Sequence, residues 1–195
     1  MIRSVKNVAL TGRRVLIRLD LDLPIGQTRG VPDDRRLEEA LPTIRHALDQ
    51  RARVILATHQ GNPRGKWHEG RTIEPTAARI VELLRCEARL ADDCVGDGVR
   101  KLVQDLGDGD LLILENLAMN AGEALNDRRF AESLAAFCDV FVNEAFGQAN
   151  RAFASMATLP TLVSDKCAGL HFLREVNRLE AARVKLLPAC EALSD

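Results

Sequence analysis

Short apolar runs alternate along the chain with longer stretches of helical period. Val15 to Leu21 (VLIRLDL) reads as a strand and is followed by a turn-rich segment, PIGQTRGVPDD. From Arg36 to Gln50, Leu37, Leu41, Ile44 and Leu48 recur at spacings of four, three and four, which is one helical face. Pro42 inside that pattern predicts a kink or a later helix start. Arg53 to Thr58 (RVILAT) is a second strand, ending in a loop rich in glycine and basic residues, HQGNPRGKWHEGR. Pro75 to Arg85, with Ile80, Leu83 and Leu84 on one side, reads as a helix, and Ala88 to Leu90 as a short strand.

The second half keeps the rhythm. Gly98 to Leu106 is helical, Asp110 to Glu115 (DLLILE) a buried strand, Phe130 to Phe137 a helix and Asp139 to Asn143 a strand. From Asp165 a long helix carries Leu173, Val176, Leu179 and Ala182 before Pro188. No hairpin-type Asn-Gly or Asp-Gly turn joins adjacent strands, so the pattern predicts an α/β domain on a parallel sheet. No internal repeat or low-complexity linker interrupts it.

Composition narrows the classes. A chain of 195 residues makes one large domain or two small ones, and 46% hydrophobic with 28% charged residues is ordinary for a folded, soluble protein. Lys plus Arg number 27 against 28 Asp plus Glu, a net charge of -1, so bulk electrostatics suggest neither a nucleic-acid nor a membrane-surface partner. With no Tyr, one Trp (Trp67) and six Phe, stacking platforms for single strands are not expected. Cys86, Cys94, Cys138, Cys167 and Cys190 are scattered and form no CxxC pair, a reduced, intracellular pattern, and the four histidines show no zinc spacing. The N-terminus lacks the apolar core of a signal peptide, and no apolar run approaches the roughly 20 residues of a membrane span. The cytoplasm is the expected location.

A parallel sheet gathers its ligand at the C-terminal ends of its strands. The first strand is followed by Asp20, Asp22 and Pro24, and the second by His59, Gly61 and Pro63. Glu115, Asn116, Asn120 and Gly122 follow DLLILE, while Asn143, Glu144, Gly147, Asn150 and Arg151 follow DVFVN. By residue type alone these positions are either a ligand crevice or solvated loop ends. There is no GxGxxG, and GNPRGK is not GxxxxGK[ST], so no nucleotide site is visible.

Six segments in order carry a family resemblance. RLDLDLP (Arg18 to Pro24) resembles the RxDxNxP motif that opens the phosphoglycerate kinases, and DDRRLEEALPTI (Asp33 to Ile44) resembles their DxRIxxxLPTI. THQGNP (Thr58 to Pro63) parallels SHLGRP, and LENLAMNAGE (Leu114 to Glu123) parallels LENxRFxxGE. CDVFVNEAFGQANRAFAS (Cys138 to Ser155) is similar to CDVFVxDAFGTAHRAHAS, and CAGLHFLREVNRLE to the AAGxLxxKELxxL helix. The resemblance implies the N-terminal half of such a kinase: a three-layer domain with a parallel six-stranded sheet and helices on both faces. It places this domain at 1–164 and a connecting helix at 165–195, with the nucleotide-binding C-terminal domain expected to be absent. In the family this half binds 3-phosphoglycerate, and the other half holds Mg-ATP or Mg-ADP for transfer from 1,3-bisphosphoglycerate to ADP in glycolysis. No cofactor is therefore expected on this chain unless a nucleotide domain is supplied elsewhere.

Carried over by motif, Arg36 takes the catalytic position, where an Arg neutralises charge on the transferring phosphoryl. Arg36, His59 and Arg151 keep substrate-binding positions, and Asp20 the acidic one that meets the substrate hydroxyl. Asp22 and Asn62 occupy two further substrate-binding positions, where they replace the family's Asn and Arg. Ala118 replaces a second Arg, and Asn150 and Phe153 replace two His. At about 1.5–3 kcal/mol for each charge-assisted contact, two lost arginines remove roughly 3–6 kcal/mol, or two to four decades of affinity. The expectation is weak binding of a small anionic metabolite and no catalysis by the chain alone. Two other roles stay open: a non-catalytic binding module for a phosphorylated or carboxylated metabolite, and a scaffold or regulatory partner. The stripe on the last helix, extended by Leu186, Leu187 and Pro188 and followed by Cys190 and Leu193, is expected to fold back onto its own sheet or to dock on a second copy or a nucleotide-domain partner.

Overall fold

The computed structural model describes residues 2–22, 34–62, 65–66 and 68–191, with side chains as far as Arg183. In chain order the elements are β1 (Arg14–Arg18), α1 (Arg35–Asp49), β2 (Arg53–Ala57), α2 (Glu74–Leu84), β3 (Arg89–Leu90) and α3 (Asp97–Gln104). They continue with β4 (Leu111–Ile113), α4 (Ala121–Ala124), α5 (Arg128–Ala135), β5 (Val140–Asn143), α6 (Leu159–Leu162), β6 (Asp165–Ala168) and α7 (Leu170–Glu191). The strands form one six-stranded sheet in the order β3-β4-β2-β1-β5-β6, and every pairing is parallel.

Successive strand residues face opposite sides, and both sides are apolar, which is why these strands read as unbroken hydrophobic runs. Val15, Ile17, Val54, Leu56, Val140 and Val142 join Leu37, Ile44 and Ile80 from α1 and α2 in one core. Leu16, Ile55, Leu112 and Phe141 meet Val99, Phe130, Leu134 and Leu159 from α3, α5 and α6 in the other. Cys138 and Cys167 are buried, one in each core, and burial raises both thiol pKa values, to about 12 and about 11.

Two details differ from the sequence expectation. α1 runs through Pro42 as one helix; the proline removes one backbone donor, and burial of Leu41, Thr43 and Ile44 around it holds the helix together. Asp165–Ala168, assigned by pattern to the start of the long helix, is instead the edge strand β6, paired in register with β5, and the helix begins at Leu170. Along α7, Leu173 and Val176 are half-buried, whereas Leu179 is 60% exposed. The side chains of Leu186, Leu187, Pro188 and Cys190, and all of Leu193, lie outside the described residues. Among the described residues no helix is long and apolar enough to cross a membrane.

Candidate ligand-binding site

β1 lies inside the sheet between β2 and β5. The chain leaves β1 toward β2 on one side and, after β4, crosses to β5 on the other. The connections after β1 and β5 therefore diverge, and a crevice opens over the carboxyl ends of these strands. Asp20 and Asp22 enter it from β1, His59 to Asn62 from β2, and Glu144 to Arg151 from β5.

The floor of the crevice is a buried charge network. Arg18, the last residue of β1, has no exposed surface. Its Nε donates to Ser155 Oγ at 2.8 Å, its Nη2 to His59 Nδ1 at 3.3 Å, and its Nη1 to the Leu19 carbonyl. Glu123 lies 3.7 Å from Arg18 Nη2 and accepts from the Ser155 hydroxyl at 2.5 Å and the Ser155 backbone N–H at 2.9 Å. A guanidinium only donates, so His59 Nδ1 is an acceptor and the ring proton sits on Nε2. That nitrogen faces Asp22 Oδ2 at 4.0 Å. Burial, reinforced by the Arg18 charge, lowers the His59 pKa from 6.5 to about 4. Phe153 closes the ring's other side, with centroids 6.5 Å apart.

Above this floor are two adjoining cavities. The larger, about 460 Å³, is lined by Asp22, His59, Asn62, Gln148, Arg151 and Phe153, with Ala118 and Glu123 deeper in its wall. The smaller, about 240 Å³, is lined by Asp20, Arg36, Glu39, Glu144, His171 and Arg178. Arg36 Nη1 is 3.5 Å from Asp20 Oδ1 and donates to the Asp22 carbonyl at 3.4 Å. Gln148 donates from the larger cavity to Asp20 Oδ1 at 3.4 Å, so the two share one polar partition. Asp22 Oδ1 accepts from the Gly61 N–H at 2.7 Å and the Gln60 amide at 3.4 Å. Gly61 has φ +62, and a Cβ there would come within 2.7 Å of the Arg71 guanidinium, so the turn that presents its N–H requires glycine.

The family model for phosphoglycerate kinase matches residues 5–187. The chain belongs to the phosphoglycerate kinase family. The phosphoglycerate kinase of Anaeromyxobacter sp. (strain Fw109-5) is 48% identical over 183 residues, covering 93% of this chain and 46% of that protein. The Picosynechococcus sp. phosphoglycerate kinase is 40% identical over 92% of this chain and 46% of its own length. Among solved structures, the phosphoglycerate kinase from Coxiella burnetii superposes with a TM-score of 0.84 at 32% identity, covering 93% of this chain and 45% of that one. The chain spans about half the length of the curated relatives it matches.

Six of the positions carried over from phosphoglycerate kinase motifs, Asp22, His59, Asn62, Ala118, Arg151 and Phe153, line the larger cavity together. Asp20 and Arg36 do not join them. They line the adjoining smaller cavity and pair with each other, and Arg36 also donates to the carbonyl of Asp22 in the larger one. Asn150 is exposed and lines neither cavity. Pro24 and Pro63 lie outside the described residues. The polar residues after β4 are structural: Glu115 accepts from the Ile73 and Asn116 N–H groups, and the Asn116 amide brackets the Gln60 backbone.

Arg18, Glu123, Ser155 and Gln148 complete the site without having been singled out by sequence. All four stand inside the quoted motifs, which is their only signal in the sequence. Glu144 follows β5, and its role is mechanical. Its carboxylate accepts from the Thr43 hydroxyl at 2.5 Å and from the His171 and Phe172 N–H groups at 3.1 Å, joining β5 to α1 and to the first turn of α7. Burial raises its pKa, against the hydrogen bonds.

Proposed function

We propose that this chain is the metabolite-binding half of a phosphoglycerate kinase-type protein. The crevice over β1, β2 and β5 holds a small carboxylated or phosphorylated metabolite loosely, and these residues by themselves transfer no phosphoryl group. The observation that carries the reading is the 460 Å³ cavity at the point where the strand order reverses, with His59 and Arg151 in its wall. Membership of the family supports the substrate class. The side chains present support the weakness: Asn62 and Ala118 stand in the cavity wall where forked arginines would grip a phosphate or carboxylate. Arg36, which would face the transferring phosphoryl, is paired with Asp20. No residue here is assigned to a nucleotide or a metal. Thiols at Cys86, Cys94, Cys138 and Cys167 without a disulfide support a cytoplasmic setting.

Calorimetric titration with 3-phosphoglycerate tests the proposal, with an expected Kd of about millimolar, near 4 kcal/mol of binding free energy. Micromolar affinity would contradict the assigned weakness. No binding of this or any related acid would leave the fold as a scaffold.

A further inference from the structure

We infer that the larger cavity selects a singly charged carboxylate with a hydroxyl or ammonium group beside it, in preference to a phosphorylated acid. This rests on the cleft being the metabolite site. The argument is one of charge among the described residues. Arg18 is buried against Glu123, and Arg36 is paired with Asp20, so each of these pairs is internally neutral. His59 is held neutral by geometry, with Nδ1 accepting from Arg18 and the ring against Phe153. One cation and one anion remain to meet a ligand in this cavity: Arg151, whose guanidinium has no partner among the described residues, and Asp22.

Each faces a distinct chemistry. The Arg151 fork suits one carboxylate in bidentate fashion. Asp22 Oδ2 offers an acceptor and His59 Nε2–H a donor 4.0 Å apart, a pair that fits a hydroxyl, which both donates and accepts. An ammonium group would use Asp22 alone. A phosphomonoester brings a further charge of about -1.5 to -2 near neutral pH, with three acceptor oxygens. Against it the cavity offers no second free cation among the described residues, and Asp22 repels it. Gln148 and Asn62 supply neutral polar contacts only.

The test is paired titration of the 195-residue chain with D-glycerate and 3-phosphoglycerate at one ionic strength, two ligands that differ only by the phosphate. Glycerate is expected to bind more tightly than 3-phosphoglycerate. Asp22→Asn should strengthen 3-phosphoglycerate about tenfold and leave glycerate no stronger. Asn62→Arg with Ala118→Arg, which adds two cations to the wall, should swing the preference toward 3-phosphoglycerate by about a hundredfold or more. Circular dichroism and thermal midpoints of each variant confirm that the fold is kept. If 3-phosphoglycerate binds the unaltered chain as tightly as glycerate or more tightly, the selectivity is overturned while the site stands. If neither ligand binds, the assignment of the cleft itself fails.

Discussion

Arg18 Nη2 lies 3.3 Å from His59 Nδ1, and this contact decides what the histidine can do. A donor fixed against Nδ1 leaves Nε2 to carry the ring's proton and turns that N–H toward Asp22. A histidine at a strand end in an anion-binding family is naturally read as a cation. Here burial and the Arg18 charge remove that option near neutral pH.

The same contact sets a pH dependence. In the unfolded chain the imidazole titrates near 6.5, whereas in the fold it does so near 4. Between these values the unfolded state binds a proton that the folded state refuses, so stability from this group is complete above pH 6.5. It is lost as pH falls toward 4, by roughly 3 kcal/mol at most. Glu144, whose carboxyl is raised, acts with the opposite sign above its ordinary value of 4.5. The parent must therefore be compared with His59→Gln by denaturant unfolding at several pH values. The parent should lose stability more steeply between pH 6.5 and 4; equal slopes would contradict the assigned neutral state.

Arg18→Met should destabilise the fold by about 3–5 kcal/mol, because it leaves Glu123 buried without its cation. Adding Glu123→Gln should recover part of that loss, since the stranded charge is then gone. Urea midpoints of the two single variants and the double variant measure the coupling. Strict additivity would mean that the two groups do not form a unit.

Gly169 sits where a Cβ would collide with the Glu144 carboxylate, and that carboxylate is pinned by Thr43, His171 and Phe172. Gly169→Ala should therefore cost about 1–3 kcal/mol. In a Glu144→Asp background, one methylene shorter, the same change should cost less, with a coupling of about 1 kcal/mol or more. The same cost in both backgrounds would show that the clamp is not what excludes a side chain there.

A coupled assay for phosphoryl transfer from ATP to 3-phosphoglycerate should read background with the 195-residue chain alone. Turnover that purifies with the protein and disappears in Arg36→Ala would contradict the proposed role.

The interior of the sheet was legible in the sequence because its strands are buried on both faces and so appear as unbroken apolar runs. VLIRLDL, RVILAT and DVFVN each contain a strand, although β1 ends at Arg18, three residues before its apolar run does. The edge was harder to read. In β6, Asp165 and Lys166 are not buried and only Cys167 and Ala168 are, so a half-wet strand merged by pattern into the helix after it. The candidate site divided in the same way. His59, Asp22 and Arg151 stood out because they follow strands, and the structure places them in one cavity. The pairing of Arg36 with Asp20 and the burial of Arg18 against Glu123 join residues from separate elements, and neither has a local signature. Which charges are left to meet a ligand depends on those pairings, so it is visible only in the folded chain.

The most direct test is a backbone-amide NMR titration with small hydroxy acids, which locates the site and measures its affinity together. Shifts should concentrate at Gly61, Asn62, Gln148 and Arg151 and saturate with a Kd of about millimolar. Shifts confined to α7 or to the opposite edge of the sheet near β3, or no shift at these four residues at saturating ligand, would contradict a metabolite site at the carboxyl ends of β1, β2 and β5.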